Sequence, residues 1–316
     1  MRRNLRQTAK ETKDVLPTIL VHLDVKTRTS SIHHMRELTP LKSEECPAFG
    51  LPEGDQQAGR KGTRIRVFDQ DSFDAALDLQ PSTTVSSSAS LVDAAPATDQ
   101  TGTGNPTASS PKLPLKPVAV LNLASEKRPG GGWENGALAQ EEALCFRSSL
   151  YLSLHQLYYP IPALSALYTP TAVLIRDAMS RGHKLIWPEV PTEDLPVTSV
   201  ISLAAIRRPS LARDGTYAKQ SDVEFMKKKI RVVLRLSALQ GHTKIVLGAL
   251  GCGAFANPPH EVAQCFLEVF QEDEFQGGWW EDVVFAVLDN ARGEDRGKDG
   301  TGNYGVFYRA LEGVVV

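Results

Sequence analysis

PVAVLNLASEKRPGGGWENGALAQEEALCFRSSLY, residues 117–151, decides the fold. Its first eight residues, 117–124, are an apolar run of strand length, and such a run between loops reads as a buried strand. A glycine-rich loop follows. Leu144, Ser148, Tyr151, Leu152, His155 and Tyr158 then recur at helical spacing, which predicts a helix over 138–159 with Pro160 just past its end.

The same alternation continues outward. TAVLIRD (171–177), VTSVISLAA (197–205), TKIVLGAL (243–250) and VVFAVLD (283–289) read as strands. A helix is expected over 222–240, opened by a capping box at Ser221-Asp222-Val223-Glu224 and stopped by Gly241. Another starts at Asn257-Pro258-Pro259, with proline in the first turn, where a missing N–H costs nothing. Apolar strands alternating with helices imply an α/β domain whose sheet is covered on both faces.

Upstream of residue 117 the pattern weakens. Residues 3–16 read as a polar helix ending before Pro17, and 18–24 as a short strand. Residues 25–80 are mixed and proline-dotted, so 1–80 is read as an N-terminal helical accessory region of short elements packed on the core. From Pro81 to Ser110, thirteen of thirty residues are Ser or Thr and none is aromatic. A stretch of that composition buries too little apolar surface to offset its ordering entropy, so 81–116 is expected to be a flexible insertion. Residues 117–316 are then expected to form the main α/β core.

The chain has 316 residues and a net charge of −2, so no global field draws it to nucleic acid or to a membrane. A polyanionic substrate would have to be met by a local patch. Four scattered cysteines, with no C-x-x-C pair, favour reduced thiols over a disulfide framework. With no apolar targeting segment and no membrane-length apolar run, an intracellular protein of the nucleus or cytoplasm is expected.

Two strand-to-helix loops carry the chemistry. In the first, Gly130, Gly131 and Gly132 let backbone amides approach a ligand without hindrance from a Cβ, and the next helix adds its positive end. Glu141 and Glu142 at that helix start oppose a purely anion-binding site and suggest a proton handled nearby, although acidic residues in a first turn also simply complement the helix dipole. The second loop, VLGALGCGAFANPP (246–259), again runs from a strand through Gly248, Gly251 and Gly253 to a helix. Paired glycine-rich loops at the ends of strands in one sheet can clamp a diphosphate. The residues alone give a nucleotide-diphosphate site with carboxylates beside it.

PGGGWENGALAQEEALCFRSSLY resembles the signature of microbial-type poly(ADP-ribose) glycohydrolases: three glycines, a spacer of seven residues here, then Gln-Glu-Glu. The second loop and the opening helix are similar to that family too. The resemblance implies a macrodomain-like mixed sheet flanked by helices, ADP-ribose as ligand, and Glu142 as catalytic acid and base. It also implies that Glu141 aligns the ribose and that Gln140 and Asn122 support the site. Gly251, Cys252 and Gly253 would offer backbone amides to the diphosphate, with Ala254 and Phe255 against the distal ribose. Oxocarbenium-like cleavage of a glycosidic bond needs a protonated leaving oxygen and an activated water, work for a carboxyl group and no metal or other cofactor. The expected partners are ADP-ribose and ADP-ribosylated proteins, handled by a monomer with no sequence-specific nucleic-acid contact. Arg128 stands where the resemblance leads one to expect Asn, which opens single ADP-ribose units as well as polymer as substrate. A non-catalytic ADP-ribose reader is the rival reading, and the intact Glu pair speaks against it.

Other features have plainer readings. The seven histidines show no metal-ligand spacing, and His33-His34 is read as a polar loop. Lys227-Lys228-Lys229 is read as the wet face of its helix, and the stretch 299–304 as a turn or a lid near adenine, with Tyr304 or Phe307 stacking.

Overall fold

The computed structural model describes residues 2–21, 23, 27–92 and 116–316. Seven strands form one sheet: β1 (Ser31–His34), β2 (Ile65–Phe68), β3 (Ala119–Leu123), β4 (Ser165–Val173), β5 (Val197–Leu203), β6 (Lys244–Leu247) and β7 (Asp282–Ala286). Their order is β1-β4-β5-β3-β6-β7-β2. The five from β5 to β2 run parallel, whereas β4 and β1 are antiparallel additions. This is the mixed, macrodomain-like sheet expected. Alternate side chains go to opposite layers: Ala119, Leu121, Ile245 and Leu247 pack towards α5 (Gln220–Leu239), α6 (Pro259–Phe270) and α7 (Asn303–Leu311). Val118, Val120, Val246 and Val284 pack towards α2 (Ser72–Leu79) and α4 (Gln140–Arg147). Burial on both faces is why these strands read as continuous apolar runs.

Residues 1–80 do more than pack on the core, because β1 and β2 are the two edges of its sheet. Their four-residue length gives too few alternations to stand out in the sequence. His33 and His34 accordingly lie in a strand rather than a loop. The first helix, α1 (Arg2–Leu20), runs through Pro17, and Ile19 and Leu20 of the expected strand belong to it. Leu16 and Ile19 are buried against Val173 and Val197, so apolar burial holds the last turn helical past the proline. Positions 22 and 24 of that expected strand lie outside the described residues.

Of the stretch expected to be a flexible insertion, 93–115 lies outside the described residues. Residues 81–92 hold a turn and a short helix, α3 (Val85–Val92), with Val85 buried in the same small cluster as Leu16. The long helix expected over 138–159 stops at Arg147. Ser148 turns extended and bridges to Leu174, its hydroxyl donates back to Leu144 O at 2.8 Å, and Ser149 N–H donates to Val173 O at 3.0 Å. Serine hydroxyls and strand partners here outcompete the helical ladder. The box at Ser221 does not form: α5 starts at Gln220, and its N-cap, Lys219, makes no side-chain cap.

Candidate active site

A cavity of about 870 Å³ opens at the carboxyl ends of the parallel strands, lined by Leu123–Ser125 after β3, Ala205 after β5, Ala249–Gly251 and Gly253–Phe255 after β6, and Ala286–Leu288 after β7. In open α/β sheets ligands bind at this edge, where strand order reverses. Gln140, Glu141, Glu142 and Ala143 of α4 complete one wall.

The glycine triplet is built around the acid pair. Gly131 has φ +60, and a Cβ there would lie 2.5 Å from Glu142 Oε1 and 3.1 Å from Glu141 Oε2. Only a residue without a side chain lets both carboxyls crowd this backbone. The amides expected to cradle phosphate are already engaged. Gly132 N–H donates to Glu142 Oε1 at 2.9 Å, Gly131 N–H donates to Arg128 O at 3.1 Å, and the Gly130 amide favours the charged form of Glu141. None of the three glycines lines the cavity.

Glu142 also accepts from Ala139 N–H at 2.9 Å through Oε2, so two backbone amides fix its carboxyl in place. Glu141 is 3% exposed. Its Oε2 accepts from Ser125 N–H at 2.7 Å, and Asn122 Nδ2 lies 3.5 Å from Oε1. Burial pushes this carboxyl up to about 8, with the Glu142 charge adding to the rise. Near neutrality Glu141 therefore holds its proton, which Coulomb repulsion between two adjoining carboxylates favours.

Of the supporting residues, Asn122 and Arg147 are buried and Gln140 is partly buried. Asn122 Nδ2 donates to Ser202 Oγ at 3.0 Å, which places the amide between β3, β5 and the acid pair. Gln140 accepts from Leu123 N–H at 2.8 Å and donates to Leu121 O at 2.7 Å and Ser72 Oγ at 3.1 Å, stitching α4 to β3 and α2. Arg147 is fully buried and bonds Asp71 and, at 2.7 Å, Asp74, which joins the end of α4 to the start of α2 on the cavity floor.

The second loop is arranged differently. Among the described residues, the amides of Gly251, Gly253, Ala254 and Phe255 have no protein acceptor, and all four residues line the cavity. Free amides in succession form an anion-binding concavity. Gly251 has φ +76 and lies so close to Ala205 and Asn257 that a Cβ would sit 2.4 Å from each. Cys252 is outside the lining, its amide bonded to Ala249 O at 3.1 Å, and burial pushes its thiol up, so it is no activated nucleophile.

Several contributors had no sequence signal. Asn257, 2% exposed, donates to Ile206 O at 2.6 Å and Gly251 O at 3.1 Å and accepts from Tyr217 OH at 2.8 Å, which clamps the loop from beneath. Ser125 and Ala139 hold the acid pair through their backbone amides. His183 lines the cavity, its ring held neutral by burial and by Arg176, which pull it down to about 4. Asn303 is in the lining, but Phe307 is buried in the core and Tyr304 packs on Tyr308, so neither is the stacking lid expected of 299–304. Lys229 is not on the wet face of α5: it is 3% exposed, with its ammonium bonded to Ala204 O at 2.8 Å and to Ala163 O.

Comparison with known proteins finds relatives of the same fold. The family description "Microbial-type PARG, catalytic domain" matches residues 22–177. Poly(ADP-ribose) glycohydrolase from Thermomonospora curvata superposes with a TM-score of 0.68 at 25% identity, covering 98% of this chain and 99% of that one. The same protein bound to the inhibitor ADP-HPD gives 0.67 at 25%, covering 97% and 99%. The Deinococcus radiodurans enzyme in complex with ADP-ribose gives 0.62 at 25%, covering 94% and 98%. No curated protein matches by sequence. The family match falls on the glycine loop and the glutamate pair, and the likeness to the solved poly(ADP-ribose) glycohydrolases runs nearly the length of the chain.

Proposed function

We propose that this chain hydrolyses the ribose–ribose glycosidic bond of ADP-ribose polymers, with Glu142 as acid and base. One observation carries the reading: a pair of buried glutamates, held by backbone amides, faces the same cavity as a loop of four free amides. The diphosphate of the terminal unit meets the amides of Gly251 and Gly253–Phe255. Its ribose reaches α4, where Glu141 aligns it. Glu142 gives a proton to the leaving ribose oxygen as the glycosidic C–O bond breaks. The resulting carboxylate takes a proton from the water that adds to the oxocarbenium carbon, which releases ADP-ribose and restores the acid.

A reader would need the free amides but not the acid pair. Burying Glu141 costs free energy that ligand binding alone does not require. ADP-ribosylated proteins are the physiological partners in this account, and the chain acts as a monomer. Among the described residues no helix is long and apolar enough to cross a membrane. Incubation with polymer-modified and singly modified protein, with analysis of the released products, tests the proposal. Free ADP-ribose from the polymer is expected, and binding without release in both cases would make the chain a reader.

A further inference from the structure

β3 and β5 pair in register, with Leu123 opposite Leu203, and Ala124 N–H donates to Leu203 O at 3.1 Å. Beyond these partners both chains enter the cavity wall, at Ser125 and Ala205. At the same offset, four and five residues past the paired leucines, each carries two cations: Lys127-Arg128 on one and Arg207-Arg208 on the other. Adjacent strand ends thus carry two dibasic pairs, two and three residues past the lining residues Ser125 and Ala205, and together they make a cationic rim.

The two loops are fixed from below and from the side. Lys229 donates to Ala204 O on the β5 loop, and the Glu126 carboxylate on the β3 loop favours its charged form against burial. Lys127 and Arg128 turn their amides onto Ser125 Oγ, each at 3.3 Å. Arg208 N–H donates to Phe255 O at 2.7 Å, which seats the second pair against the free-amide loop. A hairpin bridged at Leu211 and Tyr217 extends this rim with Arg213, and Lys219 follows it.

These cations are exposed and largely unneutralised. Lys127 has Glu126 at 3.8 Å, but among the described residues Arg128, Arg207, Arg208, Arg213 and Lys219 have no ion-pair partner. The one acid between 206 and 219 is Asp214, whose Oδ1 is occupied by the Thr216 amide and hydroxyl. In a chain of net charge −2 this is a local excess of guanidinium groups, which suit phosphate oxygens in bidentate geometry.

We infer that this rim is a second phosphate site, which takes the diphosphate of the ADP-ribose unit adjoining the scissile bond. The inference rests on the hydrolase reading above and adds a substrate preference to it. A polymer fills both the amide loop and the rim, whereas a single ADP-ribose on a side chain leaves the rim empty. Arg128, in place of the expected Asn, then serves the chain beyond the cavity.

The test compares the wild type with a triple variant, Arg128→Ala, Arg207→Ala and Arg208→Asn. Asn is chosen at 208 because the backbone there has φ +50, which Asn tolerates. KM and kcat are measured on size-fractionated polymer and on protein carrying single ADP-ribose units, at low and high salt, with calorimetry on ADP-ribose. The expected result is a rise of roughly tenfold in polymer KM at low salt, as three weak exposed contacts would give, and a flattened salt dependence. ADP-ribose affinity and single-unit turnover stay at the wild-type level. An active triple variant with unchanged polymer KM overturns the rim site alone, as does an equal loss on both substrates. Wild-type protein that cleaves neither substrate overturns the hydrolase reading and this site with it.

Discussion

Replacing Gly131 by alanine puts the acid pair to a physical test. The added Cβ would stand 2.5 Å from Glu142 Oε1, which is 0.5 Å inside the 3.0 Å that such contacts essentially never breach, and 3.1 Å from Glu141 Oε2. The Glu142 carboxyl must retreat, and its 2.9 Å bonds from Gly132 and Ala139 stretch with it. Weakening two hydrogen bonds to this buried carboxyl costs about 1–3 kcal/mol, and forcing alanine to φ +60 adds roughly 1–2 kcal/mol. The total, roughly 2–5 kcal/mol, lowers Tm by roughly 3–8 °C in a chain of this length and leaves it folded. Displacing a catalytic group by up to an ångström costs on the order of 100-fold in kcat. Gly59→Ala is the control: its φ is +78 and nothing lies within 4 Å of the added Cβ, so it carries the backbone penalty alone. Initial rates of ADP-ribose release, thermal unfolding and ADP-ribose calorimetry on both variants separate the effects. A folded Gly131→Ala protein with kcat within about threefold of wild type would refute the arrangement of carboxyls described here.

Three further outcomes follow from the same geometry. The Glu141 carboxyl is raised in the folded chain from 4.5 to about 8, so its contribution to stability is fully present below about pH 4.5 and is lost as pH rises through about 8. Wild type should therefore lose on the order of 3–5 kcal/mol relative to Glu141→Gln across that range, and denaturant melts from pH 4 to 9 that run parallel would contradict the assignment. Asn257→Ala leaves the Tyr217 hydroxyl and two loop carbonyls without their partner; ADP-ribose affinity should fall by roughly tenfold with a stability loss of about 2–3 kcal/mol, and unchanged affinity would show that the loop holds its shape alone. Gln140→Glu sets a carboxylate against Leu121 O and should destabilise the chain by about 2 kcal/mol or more, measured as a fall in Tm that alanine at the exposed neighbour Leu138 does not produce.

The sequence showed most where a period was long or a motif dense. The buried strands 119–123, 197–203, 244–247 and 282–286 lie within apolar runs, and the helix after the second loop starts one residue past its first proline. The early end of α4 was illegible, because the residues beyond Arg147 keep helical spacing while Ser148 and Ser149 bond to a strand far along the chain. β1 and β2 were too short to read, and each depends on a distant partner. In the site, the acid pair and the second loop's amides were visible, and the roles of Asn257 and of the Ser125 and Ala139 amides were not. The glycine triplet reads as an anion cradle, yet its Gly132 amide holds Glu142 and its Gly131 amide holds Arg128 O, and the free amides belong to the second loop. Lys229 shows why a charge run misleads: three adjacent lysines point in three directions on a helix, and one of them is buried on carbonyls.

The central claim is that Glu142 cleaves what the cavity binds. Glu142→Gln, assayed for ADP-ribose release from polymer alongside calorimetry with ADP-ribose, tests it most directly. The account predicts near-wild-type binding with release reduced on the order of 1,000-fold or more, as loss of a group that both protonates and deprotonates requires. Release near the wild-type rate from a correctly folded Glu142→Gln protein would contradict it.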